Sequence, residues 1–121
     1  MLTQSLEDYL ESIKILKEKK GVVRVKDIGK FLNVTNPSVV SALNILSKKG
    51  YVKHEKYGYI QLTEKGEREA EKIYERHKTI VKFLENILGL PHEIARRDAC
   101  KIEHVISPET YKKIKELIKR K

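Results

Sequence analysis

Asp98-Ala99-Cys100-Lys101-Ile102-Glu103-His104 puts a thiol, a carboxylate and an imidazole into one short run. Read as a helix, Cys100, Glu103 and His104 stand at i, i+3 and i+4 and share one face. Such a set can hold a divalent transition metal, because one rigid element then offers both soft and hard donors. Three donors leave a coordination sphere incomplete. The candidates for the rest are Asp8 and Glu11 near the N-terminus and His77 in the middle of the chain. Each residue also has a plain structural reading. Asp8 can close a capping box from Ser5, Glu11 can lie on a solvated helix face, and His77 can be satisfied within an apolar stripe. Cys100 can be a small buried hydrophobe, and Glu103 and His104 can simply pair on a helix surface.

A chain of 121 residues bounds the elements that position these groups to one domain, or two small subdomains sharing a core. Charged residues make up 36% and aliphatics are plentiful, which points to a globular protein and not a disordered one. No apolar run approaches the roughly 18 residues of a membrane span, and no signal-peptide pattern is present, so no membrane partner is expected. The single Cys forbids an intramolecular disulfide and suits a reducing cytoplasm. Formal net charge is +9, and its distribution is uneven. Residues 1–64 carry eleven Lys/Arg against seven Asp/Glu, residues 65–111 balance at nine each, and the last ten hold six against one. A polyanion is therefore the expected partner of the N-terminal half or of the tail, unless the tail is only a solvated helix end.

The first helix opens at Ser5 as N-cap, presents Leu6, Tyr9, Leu10, Ile13 and Leu16 to a core, and ends at Gly21. Val22-Val23-Arg24-Val25 is short and β-prone. Lys26–Leu32 is a second helix with Ile28, Phe31 and Leu32 inward, and Asn33-Val34-Thr35 makes a turn. Asn36-Pro37 then caps and starts a third helix that runs through Val39, Val40, Leu43 and Leu46 to Gly50. Two alternating runs, Tyr51–Lys56 and Tyr59–Thr63, flank Tyr57-Gly58 and predict a β-hairpin. A long helix over 67–88 follows, Leu90-Pro91 breaks it, Pro91 starts the helix that carries Cys100 to His104, and Ser107-Pro108 starts a last one.

Helix, short helix, turn, helix, hairpin is the order of a winged helix-turn-helix, in which the third helix enters the major groove. The polar start Thr35-Asn36-Pro37-Ser38, with Ser41, offers no Arg or Gln for bidentate base contacts. Modest direct readout follows: hydroxyls to phosphates, apolar contact to thymine methyls, and DNA shape for the remainder. Lys48, Lys49, Lys53 and Lys56 are the expected phosphate contacts, against the plain reading of a solvated lysine cluster, and Tyr57 and Tyr59 at the wing tip either touch the backbone or pack on the sheet. The C-terminal helices are too few and too apolar on one side to stand alone, so a second copy is expected to cover them.

These residues together resemble the diphtheria-toxin-repressor and manganese-repressor family of metal-dependent transcription regulators. The motifs are Glu7-Asp8-Tyr9-Leu10-Glu11, Val23-Arg24-Val25-Lys26-Asp27-Ile28, Asn36-Pro37-Ser38-Val39-Val40, Leu62-Thr63-Glu64-Lys65-Gly66, Arg76-His77 and the run Ala99 to Ser107, in family order. The resemblance implies a mainly α protein: a winged helix-turn-helix DNA-binding domain over 1–64, then a helical metal-binding and dimerisation domain over 65–121. It implies a homodimer, formed through the C-terminal helices, that binds double-stranded operator DNA when loaded with metal and regulates metal-homeostasis genes, as a repressor and not as an enzyme. The family's ligands carry over onto Asp8, Glu11, His77, Cys100, Glu103 and His104, and its DNA contacts onto Thr35, Pro37, Ser38 and Ser41.

The chain is a hybrid within that family. Iron-type members have Met where Asp8 stands, and manganese-type members have Glu where Cys100 stands. Val81 and Arg96 replace the Glu and His of the iron type's second site, and no residues follow Lys121 for the SH3-like domain that iron-type members append. Fe(II) is the first expectation for the metal and Mn(II) the second, with Zn(II) or Co(II) able to bind in vitro. The competing reading is a metal-independent winged-helix regulator whose C-terminal helices only dimerise.

Overall fold

The computed structural model describes residues 2–55 and 58–120, and these form two separately packed units that divide at Glu71/Lys72. The expected hairpin positions Lys56 and Tyr57 lie outside the described residues.

In the first unit, α1 (Gln4–Lys20) is capped by Thr3, whose hydroxyl accepts from Leu6 N at 3.2 Å. Ser5 is therefore inside the helix and not its cap, because Thr3 reaches the orphan amides first. Gly21 takes φ 82° and closes the other end by donating to the Lys17 carbonyl. Tyr9, Leu10, Ile13 and Leu16 are buried, as the spacing predicts. α2 (Val25–Leu32) begins at Arg24, whose N–H donates to Asp27 Oδ2 at 3.0 Å, and stops at Asn33 with φ 58°, a conformation Asn tolerates.

α3 (Asn36–Lys48) is capped by Thr35, not Asn36: Thr35 Oγ1 accepts from Ser38 N at 3.3 Å, and Pro37 falls in the first turn, where a missing N–H costs nothing. Val39, Ala42, Leu43 and Leu46 are buried, while Val40 is exposed. Phe31 is also exposed (44%), contrary to the expectation that it faces inward. An eight-residue helix has one inward direction; Ile28, Gly29 and Leu32 occupy it, and Phe31 stands to its side.

The wing consists of β1 (Val52–His54) and β2 (Ile60–Leu62), antiparallel with Val52 opposite Leu62, Lys53 opposite Gln61 and His54 opposite Ile60. Of the β-prone Val22–Val25 run only Arg24 pairs, as an isolated bridge to Tyr59. Its guanidinium donates to the Tyr59 hydroxyl at 3.0 Å. Thr63 links the wing to the next helix: its hydroxyl donates to the Gly50 carbonyl at 2.6 Å and accepts from Gly66 N at 3.0 Å.

α4 (Glu64–Lys82) runs into a π-helical turn, Phe83–Ile87, where an uninterrupted α-helix to Leu88 is the sequence expectation. α5 (His92–Ile102) and α6 (Pro108–Lys119) follow, α6 being capped by Ser107, which accepts from Thr110 N at 3.1 Å. The second unit's core is small: Ile80, Leu84, Ala95 and Ala99, with Val81, Phe83, Leu90, Ile102 and Ile106 against it. No described residue of α6 is fully buried. The fold is mainly helical, with a two-stranded wing in its N-terminal half.

Candidate metal centre and nucleic-acid interface

Four of the six metal-binding candidates, His77, Cys100, Glu103 and His104, lie together on α4 and at the end of α5. His77 lies on α4; Cys100 and Glu103 lie one turn apart at the C-terminal end of α5, where Glu103 is the C-cap with helical φ −57° and ψ −25°. His104 is already in the turn beyond, so the expected i, i+3, i+4 helical face holds for Cys100 and Glu103 only. Arg76 Nη1 donates to the Glu103 carbonyl at 3.0 Å and so satisfies one of the acceptors left free at the helix end. Sequence reading assigned Arg76 no structural task. Its place directly before His77 on α4 is the available signal.

His77 Nδ1 stands 3.3 Å from Glu103 Oε1 and 3.9 Å from Cys100 Sγ, and one ligand atom from each residue lies within 4.8 Å of the others. His104 Nε2 is 3.7 Å from the same Glu103 oxygen, and both of those side chains are only 1% exposed. Neither carboxylate oxygen of Glu103 has a hydrogen bond among the described residues. A buried carboxylate without hydrogen bonds costs several kcal/mol unless a cation compensates it. In the metal-free protein that cation is His77, whose imidazole is pushed up to about 10 by the Cys100 sulfur first and the Glu103 carboxylate next. Imidazole, thiolate and carboxylate are also a donor set that suits a divalent transition ion, so the residues present fit such an ion.

In the first unit, Asp8 is half-buried and Glu11 buried, both on α1. With Thr3 as the cap, Asp8 lies a full turn inside the helix, so a capping box no longer accounts for it. Burial likewise removes the solvated-face reading of Glu11.

The nucleic-acid candidates gather on the first unit's surface. Pro37, Ser38 and Ser41 are exposed on α3, Lys48 and Lys49 at its C-terminal end, and Lys53 on β1. Thr35 is exposed as well, with its hydroxyl engaged by Ser38 N and 2.9 Å from Ser38 Oγ. Lys56 lies outside the described residues. No described helix is long and apolar enough to cross a membrane.

Two family descriptions cover the chain almost end to end. The iron dependent repressor N-terminal DNA binding domain matches residues 1–60, and the iron dependent repressor metal binding and dimerisation domain matches residues 63–120. The chain belongs to the iron-dependent-repressor family and is thus a metal-dependent transcriptional regulator. It is 42% identical over 115 residues to the uncharacterised HTH-type transcriptional regulator MJ0568 of Methanocaldococcus jannaschii, covering 94% of this chain and 92% of that one. Among solved structures it is similar to T. acidophilum IdeR, with TM-score 0.84, 32% identity and 93% of this chain covered. A manganese-dependent transcriptional repressor solved with manganese gives TM-score 0.87 and 26% identity over 94% of this chain. The chain spans about half the length of those two solved proteins, 53% and 52%.

Proposed function

We propose that this chain is an Fe(II)- or Mn(II)-responsive repressor of metal-homeostasis genes that binds operator DNA as a homodimer. Residues 1–64 act as the DNA-binding head and residues 65–121 as the metal-binding and dimerisation part. His77, Cys100, Glu103 and His104 supply ligands from the C-terminal half, and Asp8 and Glu11 supply the remainder from α1. The observation that carries this reading is the Glu103 carboxylate, buried and without hydrogen bonds, facing His77 and His104 with Cys100 beside it.

A divalent ion supplies positive charge and directional bonds to these donors. Without it, the carboxylates of Asp8, Glu11 and Glu103 repel when brought together, and the N-terminal helix is held less firmly. Holding α1 against the dimerisation part fixes the spacing of two heads near one helical turn of DNA. The mixed donor set favours iron: the carboxylates and imidazoles suit both ions, and the Cys100 thiolate tips the set toward the softer one. The manganese-bound relative keeps Mn(II) as the second reading.

The test is retention of the source organism's own genomic DNA fragments on purified protein, performed anaerobically with Fe(II), with Mn(II) and with chelator. Specific fragments should be held with metal and released by chelator, and the stronger of the two ions names the regulator. Equal retention under all three conditions would leave a metal-independent winged-helix protein.

A further inference from the structure

The outward face of α3 carries a residue that neither the hydroxyl cluster nor the lysines account for. Val39, Ala42, Leu43 and Leu46 turn inward, and at helical spacing on the opposite side stand Pro37, Val40, Ser41, Asn44 and Lys48. Asn44 is exposed, and its side-chain amide makes no hydrogen bond among the described residues. Asparagine is a weaker helix former than Ala, Lys or Gln, so helix stability gives no reason for it in the third turn of α3. Val40, one turn before it, is 39% exposed, an apolar side chain on the same outward face.

Resting on the reading of α3 as the helix that enters the major groove, we propose that Asn44 is a base-reading residue that selects adenine, with Val40 against a neighbouring thymine methyl. An asparagine amide has one donor and one acceptor in the arrangement that matches adenine N7 and N6–H in the major groove, and no other base presents that pair there. Distance permits it. Pro37 and Asn44 are seven residues apart, about 10 Å along a helix axis, within a groove about 12 Å wide. Ser41 lies between them on the same face, and Lys48 one turn further on marks where base contact gives way to phosphate. The operator half-site therefore contains an adenine read by an amide, and direct readout does not rest on hydroxyls alone.

The experiment selects binding sequences from random duplexes with the full chain loaded anaerobically with Fe(II) or Mn(II), for the wild type and for Asn44→Ala. The wild type should enrich a half-site with one adenine whose replacement by 7-deazaadenine weakens binding roughly tenfold to a hundredfold. Asn44→Ala, with unchanged helicity, should lose preference at that position alone and be indifferent to the 7-deaza change. Identical preferences in the two proteins, or uniform weakening on every sequence as a phosphate contact would give, overturns the assignment. Should Asn44→Ala fail to fold, Asn44→Ser takes its place in the same comparison, and a wild type indifferent to 7-deazaadenine overturns the assignment by itself. A wild type that binds duplexes without enriching any motif removes the reading of α3 as a base-reading helix, and the Asn44 assignment with it.

Discussion

Under the proposed metal site, His77 links protons to metal. Its imidazole is held up to about 10 by Cys100 and Glu103, above the ordinary histidine value of 6.5, so in the metal-free protein it is charged at neutral pH. A ligating imidazole must be neutral, so occupancy of this site displaces that proton. The sign follows directly: apparent affinity rises with pH and flattens only above about 10, by about tenfold per pH unit for the single His77 proton. Titrating Mn(II) into weakly buffered protein at pH 7 should acidify the solution, and His77→Ala should reduce the protons released per ion. A pH-independent affinity between pH 6 and 8 would mean that no proton leaves His77 when the ion binds. On the same proposal Glu103 depends on this exchange as well, since its buried carboxylate faces the His77 imidazolium and would face the metal in its place.

Among the elements, the junction of wing and α4 is tightly specified. A Cβ on Gly66 would stand 1.9 Å from the Tyr51 carbonyl oxygen and 2.9 Å from its carbon, both backbone atoms that cannot swing away. Gly66 N also completes the Thr63 cap, and Thr63 in turn holds the Gly50 carbonyl, so three elements meet at one glycine. Gly66→Ala should destabilise the protein by about 3 kcal/mol, seen as a lowered midpoint of chemical unfolding. A change below about 0.5 kcal/mol, the usual range of surface substitutions, would show that the strand end relaxes freely. Elsewhere the caps follow side-chain oxygens within reach of the first free amides, which is why Thr3 and Thr35 take the places that Ser5 and Asn36 also suited by type.

For the molecule as a whole, apolar area decides what the chain needs beyond itself. The second unit has a core of four buried residues, yet leaves Leu88 at 55% and Val105 at 73% exposed, and no residue of α6 is fully covered. The dimerisation domain that this unit matches points to a second copy as the surface that would cover it. Under the proposed homodimer, Leu88→Lys should shift the protein from dimer to monomer in analytical ultracentrifugation while far-ultraviolet circular dichroism stays unchanged. A dimer of undiminished strength would place the interface elsewhere.

Periodicity and turn chemistry were sufficient to order the elements. Inward positions at Leu10, Ile13, Val39, Leu43 and Leu46 repeat at helical spacing, and Gly21 and Ser107-Pro108 punctuate them through local backbone preference. The convergence of His77 with Cys100 and Glu103 is implied by the family resemblance and not by spacing, since residues 23 and 26 positions apart meet through packing alone. Tertiary structure decided the rest. Phe31 is exposed because a short helix has room for one inward row, and the Glu103 carbonyl at the end of α5 is satisfied by Arg76 from α4. The π-helical turn at Phe83–Ile87 carries no proline or glycine to announce it. Local sequence sets which conformations are inexpensive; which neighbour reaches a carbonyl, a cap or a core position first depends on contacts between segments distant in the chain.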